Sequence, residues 1–437
     1  MNEPTHADIA VVGAGAAGLM AAIQAGRAAR ASSGSGSLRI VVLDGARSLG
    51  AKILVAGGGR CNVTHHAVRE TDYAGSSRNA IRKVLLRFGV ERTVEFFAGL
   101  GVTLKREETG KLFPTTDSAR TVLDALLRAA RDAGVEVIHP RRVGAVRALE
   151  GGGFAVDEDP AAEHGRGWGG LLARRAILAM GGRSLPKSGS DGKGHEIVRT
   201  LGHTITPRVF PALVPLTTPR DHPLCALSGL STVATVCVRD GRGKRVAEFT
   251  DSLLLTHFGL SGPAGMNISR FYTDAHRDDP RASLVVNFLP GENEQALDAS
   301  LAGLGRATVA SVLRERLPER LARTLCDIAG VDPASTGANL TKDARRALVR
   351  TLLALDVPIT GDRGWNYAEV TAGGVPLSEI RLETMESRVV PGLHLCGEIC
   401  DVDGRIGGFN FQWAWASGFV AGSSAAAALA APASEAR

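Results

Sequence analysis

An apolar run, Asp8-Ile9-Ala10-Val11-Val12, breaks at once into Gly13-Ala14-Gly15-Ala16-Ala17-Gly18, and Ala-rich sequence with helical spacing continues to about Arg30. A short continuous apolar run ahead of glycines predicts a buried strand of a parallel sheet, and the Ala-rich stretch predicts a helix over 16–30. The alternation recurs. Arg39-Ile40-Val41-Val42-Leu43 reads as a strand ending on Asp44, helical spacing covers 81–100 and 122–133, and Val135-Glu136-Val137-Ile138 reads as another strand. Residues 143–149 and 154–156 predict an antiparallel pair about a turn at Gly151–Gly153, and Ala176-Ile177-Leu178-Ala179 a buried strand entering Gly181-Gly182.

The pattern changes over 205–290, where short β-rich runs such as 232–238 and 283–288 are separated by Pro, Gly and Asp. A small barrel or sandwich is expected there. Residues 295–355 are helical in spacing, with Val312, Leu313, Leu317 and Leu321 in phase. The opening style then returns: Gly392-Leu393-His394-Leu395-Cys396-Gly397-Glu398 predicts a strand into a turn, and 412–425 a closing helix. A nucleotide-binding domain is therefore expected in two pieces, 1–204 and 361–437, around an inserted β-barrel (205–290) and a helical subdomain (291–360).

The first glycine cluster fits a dinucleotide. Gly13 permits the tight turn, Gly15 lets a pyrophosphate approach the backbone, Gly18 lets the helix lie close to the strand, and the helix N-terminus favours the phosphate charge. Asp44, ending the second strand, is placed to accept ribose hydroxyls. With 53 glycines in 437 residues a lone G-x-G-x-x-G is weak, so the flanking strand and helix carry the argument. The late segment Gly397-Glu398, Asp401, Asp403, Gly407-Gly408-Phe409-Asn410 converges on the same carboxyl ends of the strands. Four separated glycine-bearing segments are expected to converge there, with pieces from both ends of the chain, which marks the long cofactor FAD more than nicotinamide. Asn410 is expected just before the closing helix, with the amides of 410–412 facing the flavin C2 carbonyl. Val143 is expected to offer backbone contacts to adenine.

Composition narrows the class. A 44% hydrophobic, 22% charged chain of this length is globular and exceeds a single core. Net charge is +6, from 51 basic and 45 acidic residues. The basic clusters at Arg141-Arg142 and Arg239–Arg245 keep an RNA-associated alternative open, but without interleaved aromatics nucleic acid is not the expected partner. The six cysteines show no C-x-x-C and no zinc spacing, which fits a reduced, cytoplasmic protein. The N-terminus lacks the basic flank of a signal peptide. The Ala/Gly-dominated stretches 9–29 and 418–431 are too weakly apolar for membrane spans. Ala31–Ser37 is expected to be a flexible loop and the charged C-terminal tail to fray.

Several long segments occur together and in order: Lys52-Ile53-Leu54-Val55-Ala56-Gly57-Gly58-Gly59-Arg60-Cys61-Asn62, Pro186-Lys187-Ser188-Gly189-Ser190-Asp191-Gly192, Thr256 to Pro263, Val370-Thr371-Ala372-Gly373-Gly374-Val375, and Gly397 through Ala414. In these the chain resembles the BaiN-like, or YhiN-like, NAD(P)/FAD-dependent oxidoreductases over essentially its whole length. The resemblance implies an α/β fold: a glutathione-reductase-like FAD-binding Rossmann domain split by an inserted small β-barrel plus a helical subdomain. It implies FAD contacts at Gly13, Gly15, Gly18, Asp44, Lys52, Asn62, Gly397, Asp403, Gly408 and Asn410. With Ala16, Ala17, Gly59, Arg60, Cys61, Val143, Ala179, Gly181, Glu398, Gly407 and Phe409 these form the candidate cofactor site. The chain departs from the family at Asp44, where a longer acid is usual, at Met180, often Thr, and at Phe409, usually Tyr.

The expected activity is hydride transfer between a small organic substrate and flavin. No second dinucleotide fingerprint occurs in the middle block, so NAD(P)H is expected as a transient co-substrate visiting an open face. An oxygen-using amine oxidase, a flavin-dependent RNA-modifying or RNA-associated protein and a non-catalytic FAD-binding module are the alternatives. Cys61 lacks the partner that a disulfide reductase needs. His257 and Lys187 are candidates to face the ring, and no catalytic residue, metal site or oligomeric state is assigned.

Overall fold

The computed structural model describes residues 5–31, 38–162 and 167–430. The serine-rich stretch 32–37 and the tail from 431 lie outside the described residues. The chain forms two compact units, one made of Met1–Pro211 with Val370–Arg437 and the other of Ala212–Glu369.

The first unit is built on parallel strands in the spatial order Leu393–Leu395, Leu171–Leu178, Thr5–Val12, Ile40–Leu43, Val135–Ile138. Val12 is level with Leu43 and Leu178, Leu178 with Leu395, and Leu43 with Ile138. The carboxyl ends are therefore flush, and the turns that leave them share one edge, where such sheets bind ligands. The strand at Leu171–Leu178 is longer than the spacing predicts. Its first half pairs antiparallel with Phe154–Glu158, itself paired with Val143–Ala148, while its second half pairs parallel with Leu393–Leu395. Arg174 and Arg175 interrupt its apolar run and conceal its length.

The Ala-rich helices Ala16–Ala31 and Phe409–Ala430 pack backbone to backbone. A methyl added at Gly418 would lie 2.5 Å from the Ala17 carbonyl oxygen, and one at Gly422 1.9 Å from that of Ala21. Only small residues allow this approach, which explains why these helices are so weakly apolar. The helical spacing over 81–100 resolves into two helices, Arg78–Leu85 and Val90–Gly99, with Gly89 as the N-cap of the second.

His394, on the strand Leu393–Leu395, is 1% exposed and lies opposite Glu386. Burial pulls its pKa down to about 4, against the pull of the neighbouring Glu386 carboxylate. The unfolded chain, with a histidine pKa of about 6.5, then binds the proton that the folded state refuses, so stability falls as pH drops from about 6.5 and levels off near 4. The histidine costs the folded state at most about 3–4 kcal/mol at low pH. Urea unfolding between pH 7 and 4 is expected to show this slope, and His394→Gln to lose part of it. Equal slopes in the two proteins would refute the assignment.

The second unit holds a seven-stranded antiparallel sheet in the order Leu355–Val357, Ser283–Asn287, Ser231–Arg239, Arg245–Thr256, Gly259–Ser261, Leu216–Thr217, Gly361–Asp362. Its two outermost strands are consecutive in sequence, joined by Pro358, Ile359 and Thr360. Four residue steps span at most roughly 14 Å, so the sheet curls until its edges nearly meet. The stretch read as β-rich also contains a helix, Gly262–Asp278. Its buried Asn267 and Ser269 dilute the apolar signal that would have disclosed it. This helix and those at Glu294–Ala302, Glu319–Ala329 and Lys342–Leu353 share one core with the sheet, in which Ile268, Leu297, Leu321 and Leu348 join Val236 and Val286. Barrel and helices are thus one packed unit. No helix among the described residues is long and apolar enough to cross a membrane.

Candidate functional site

At the end of the first strand Gly13 turns the chain with φ +105°, and its amide donates to the Leu43 carbonyl at 2.7 Å. The three fingerprint glycines have different reasons to be glycine. A methyl at Gly13 would lie 2.4 Å from the Ala179 carbonyl oxygen and one at Gly18 only 1.8 Å from that of Gly13, whereas at Gly15 it would meet nothing within 4 Å. The protein's own packing requires the first and third. Gly15 opens onto space, where a ligand phosphate can approach the backbone. The helix beyond it carries no acid in its first turn, so its positive end is uncompensated by side chains. Asp44 is fixed beside this turn: Oδ2 accepts from the Ala14 amide at 2.6 Å and Oδ1 from the Ala46 amide at 2.8 Å. Each oxygen retains a lone pair.

The late segment presses on the same helix. A methyl at Gly397 would lie 2.7 Å from the Ala17 side chain. The Gly397 amide donates to Ser417 Oγ at 2.9 Å, and its carbonyl accepts from Trp413 Nε1 at 3.0 Å. Gly408 lies against the Thr64 backbone, 2.6 Å from where its methyl would be. Phe409 is buried, stacks on His65 with ring centroids 4.9 Å apart, and accepts from Tyr73 OH at its carbonyl at 2.8 Å. Asp403, also buried, sits in the short strand Val402–Gly404 paired with Tyr73–Gly75. The neighbouring Gly407 is buried too.

The expectation for Asn410 needs correcting. The closing helix starts at Phe409, so Asn410 lies inside its first turn. Its side chain clamps Gly404, accepting from the amide at 2.7 Å and donating to the carbonyl at 3.0 Å, while the Gln412 amide is spent on Gly408 within the helix. Gln412 is a buried anchor that no local pattern in the sequence discloses: its Oε1 accepts from Thr64 and Thr93, and its Nε2 donates to the Phe88 carbonyl.

Between Lys52 and Asn62 the chain starts as a helix from Ala51, leaves helical geometry at Ala56, and passes through left-handed Gly57 (φ +58°) and Gly58 (φ +69°). No bulky side chain would take these angles without strain. Exposed Gly59 comes next, then Arg60, which is ion-paired with Glu107 at 2.7 Å and stacked over Phe113. Asn62 is 7% exposed, and its Oδ1 has no hydrogen-bond partner. Cys61 is wholly buried, and burial pushes its thiol up to about 12. All six cysteines are buried and free. The thiol of Cys61 is therefore not a thiolate relay. Iodoacetamide is expected to leave the native protein unmodified, and Cys61→Ala to be reduced as the parent is; loss of reducibility would contradict this.

Lys52 and Glu398 form an ion pair at 2.6 Å, half-hidden, with side-chain exposures of 26% and 18%. Lys52 Nζ also donates to Ser184 Oγ at 2.8 Å, and Glu398 Oε1 accepts from Ser184 Oγ at 2.8 Å and from the Thr371 amide at 3.0 Å. Thr371 Oγ1 in turn accepts the amides of Arg183 and Ser184 at 2.7 and 3.0 Å. Burial works to raise the Glu398 carboxyl, and the Lys52 charge with these hydrogen bonds outweighs it, leaving it below the usual carboxylate range. Ser184 and Thr371 had no signal in the sequence beyond the resemblance at Val370–Val375.

Ala179 donates to the Val12 carbonyl at 2.9 Å directly behind the fingerprint, and Gly181, two residues on, takes a left-handed conformation with φ +72°. Val143 is buried, in register with Glu158. Lys187 and His257 are both exposed, on different units. Among the described residues no cluster of His, Cys, Asp or Glu is arranged to hold a metal.

The open space at Gly15, the fixed Asp44 carboxylate and the partnerless Asn62 oxygen fit a dinucleotide with hydrogen-bonding rings. Across residues 7–424 the chain matches the family model of the HI0933-like protein Rossmann domain. The chain belongs to this family. It takes FAD as its cofactor and is an oxidoreductase. It is 35% identical, over 96% of its own length and 98% of the relative's, to a 3-dehydro-bile acid delta(4,6)-reductase of Clostridium scindens. It is 31% identical, over 94% and 96%, to a ribosomal RNA dihydrouridine synthase of Escherichia coli. A 3-ketosteroid-delta4-(5alpha)-dehydrogenase of Rhodococcus jostii RHA1 superposes with a TM-score of 0.48 at 17% identity, covering 98% of each chain.

Proposed function

We propose that this FAD-dependent oxidoreductase delivers hydride to a carbon–carbon double bond conjugated with a carbonyl, in a small organic substrate, and that NAD(P)H replenishes the electrons. One observation carries the reading. Two relatives matched over nearly the whole chain are named for very different molecules, a bile acid and a ribosomal RNA, yet both names denote saturation of a ring double bond. The conjugated alkene is what their substrates have in common.

Bound FAD supplies hydride exchange with substrate and donor. The protein's part is to hold and orient it. Gly15 and the helix behind it would take the pyrophosphate, Asp44 the ribose hydroxyls, and Asn62 Oδ1 a ring N–H, while the Lys52–Glu398 pair stiffens the turns around them. Ala16, Ala17, Gly59, Ala179, Gly181, Gly407 and Gly408 contribute close backbone approach, and Val143 flanks the adenine. With all thiols buried, proton delivery to the substrate falls to other groups or to water.

Anaerobic mixing with NADH or NADPH is expected to bleach the flavin, and a 3-oxo-4-ene steroid to restore its colour with gain of two hydrogens by the steroid. Bleaching by primary amines alone, with fast reoxidation by oxygen, would overturn the reading in favour of an amine oxidase. A second reading has specific support from ribosomal RNA dihydrouridine synthases of Escherichia coli and Haemophilus influenzae, 31% and 30% identical. In it the same hydride goes to a uracil ring in RNA. Dihydrouridine formed in ribosomal RNA, with no turnover of the steroid, would select it.

A further inference from the structure

Two buried side chains beside the Gly181–Gly182 turn each carry a polar atom with no hydrogen-bond partner within the protein. Ser190 is 6% exposed and its Oγ has no hydrogen-bond partner; His195 is 5% exposed and its Nε2 has none. Leaving such a group unsatisfied in a native interior costs about 1–3 kcal/mol, so each orphan calls for a partner outside the chain.

Their position says what kind. A methyl at Gly181 would lie 2.7 Å from Ser190 Oγ, so the hydroxyl hangs over the backbone that leaves the strand Leu171–Leu178. One at Gly194, next to His195, would touch Met180 at 2.9 Å and Ile399 at 3.2 Å, which seats the first turn of the helix Lys193–Thr200 between the Met180–Gly181 turn and the residue after Glu398. Both side chains therefore belong to the carboxyl edge of the sheet, where Ala179 abuts Gly13. Beyond the same turn in sequence, Ser184 and Thr371 are engaged with Glu398. These polar groups are satisfied within the protein, whereas Ser190 Oγ and His195 Nε2 are not. Burial lowers the His195 pKa. In the neutral ring Nε2 can either donate an N–H or accept at a lone pair, according to the tautomer.

We propose that Ser190 and His195 are further cofactor-binding residues, hydrogen-bonded to the oxygen-rich stretch of FAD between its two ring systems. This rests on the assignment of FAD to the Gly13–Gly18 turn. A hydroxyl and a neutral imidazole suit phosphate and sugar oxygens, with which each can bond without burying a further charge.

The test uses the full chain stripped of flavin and titrated with FAD, and then thermal melts of the apo and FAD-loaded forms. Ser190→Ala and His195→Leu are each expected to weaken FAD binding about 5- to 20-fold, and Ser190→Thr to restore most of it. The apo protein separates this from a structural role. Removing an orphaned group leaves apo Tm unchanged or raised while shrinking the FAD-induced rise, whereas removing a structural hydrogen bond lowers apo Tm. Variants that bind FAD as tightly as the parent, or whose apo forms melt early with an unchanged FAD-induced rise, would overturn the inference. A parent chain that does not bind FAD at all would instead overturn the assignment beneath it.

Discussion

Gly15→Val is expected to give a folded protein that has lost its flavin, and Gly18→Ala a protein that struggles to fold. The two positions are three residues apart in one motif, yet their surroundings differ. A side chain at 15 enters empty space and blocks only a ligand, so thermal stability without FAD should stay near that of the parent while FAD affinity falls on the order of 100-fold, about 2.7 kcal/mol. At 18 the added methyl lands 1.8 Å from the Gly13 carbonyl oxygen, a backbone atom that moves only if the strand–helix junction opens. The expected loss is about 3 kcal/mol or more, whether or not FAD is present. Chemical denaturation of the stripped proteins with FAD titration of each separates the effects. An unstable Gly15→Val or a stable, flavin-free Gly18→Ala would reverse the roles given to the two glycines.

The second large effect concerns Lys52. In Lys52→Met the Glu398 carboxylate keeps its bonds from Ser184 and Thr371 but loses its cation in a site where its side chain is 18% exposed. Discounted for that exposure, the expected loss is about 2 kcal/mol at pH 7. The pH dependence should change sign. In the parent the folded Glu398 pKa lies below the unfolded one, so its contribution is present above about pH 4.3 and is lost as pH falls through the folded value. Without Lys52, burial dominates and raises the folded pKa, so stability falls as pH rises above the unfolded value. Glu398→Gln in the Lys52→Met background should therefore recover stability at pH 7. A double variant no better than Lys52→Met would show that the pair is incidental.

Much of this site was legible because backbone requirements write themselves into sequence. Gly13 and Gly18 stand where a methyl would strike a carbonyl, and Asp44 follows a strand, Ile40–Leu43, that is itself an unbroken apolar run. The closing helix was legible in kind but not in extent, since Phe409, Asn410 and Phe411 carry no start signal of the usual capping type. Its first turn is held instead by contacts far away in sequence, such as the Tyr73 hydroxyl and the Thr64 backbone. The helix Gly262–Asp278 was hidden by its own polar interior. Ser184, Thr371 and Gln412 were illegible for a related reason: each acts through partners 132 to 348 residues distant, and nothing local marks a threonine or glutamine as buried. The polar side chains that matter here are found by asking which buried atoms are satisfied and which are not.

FAD seated at the Gly13–Gly18 turn underlies every role given to these residues. Reconstitution of the stripped full-length protein with FAD, with absorbance read before and after anaerobic addition of NADPH or NADH, tests it most directly. One FAD per chain, bleached by a nicotinamide and recoloured by a conjugated enone, is the predicted result. A protein that stays colourless with excess FAD would contradict it.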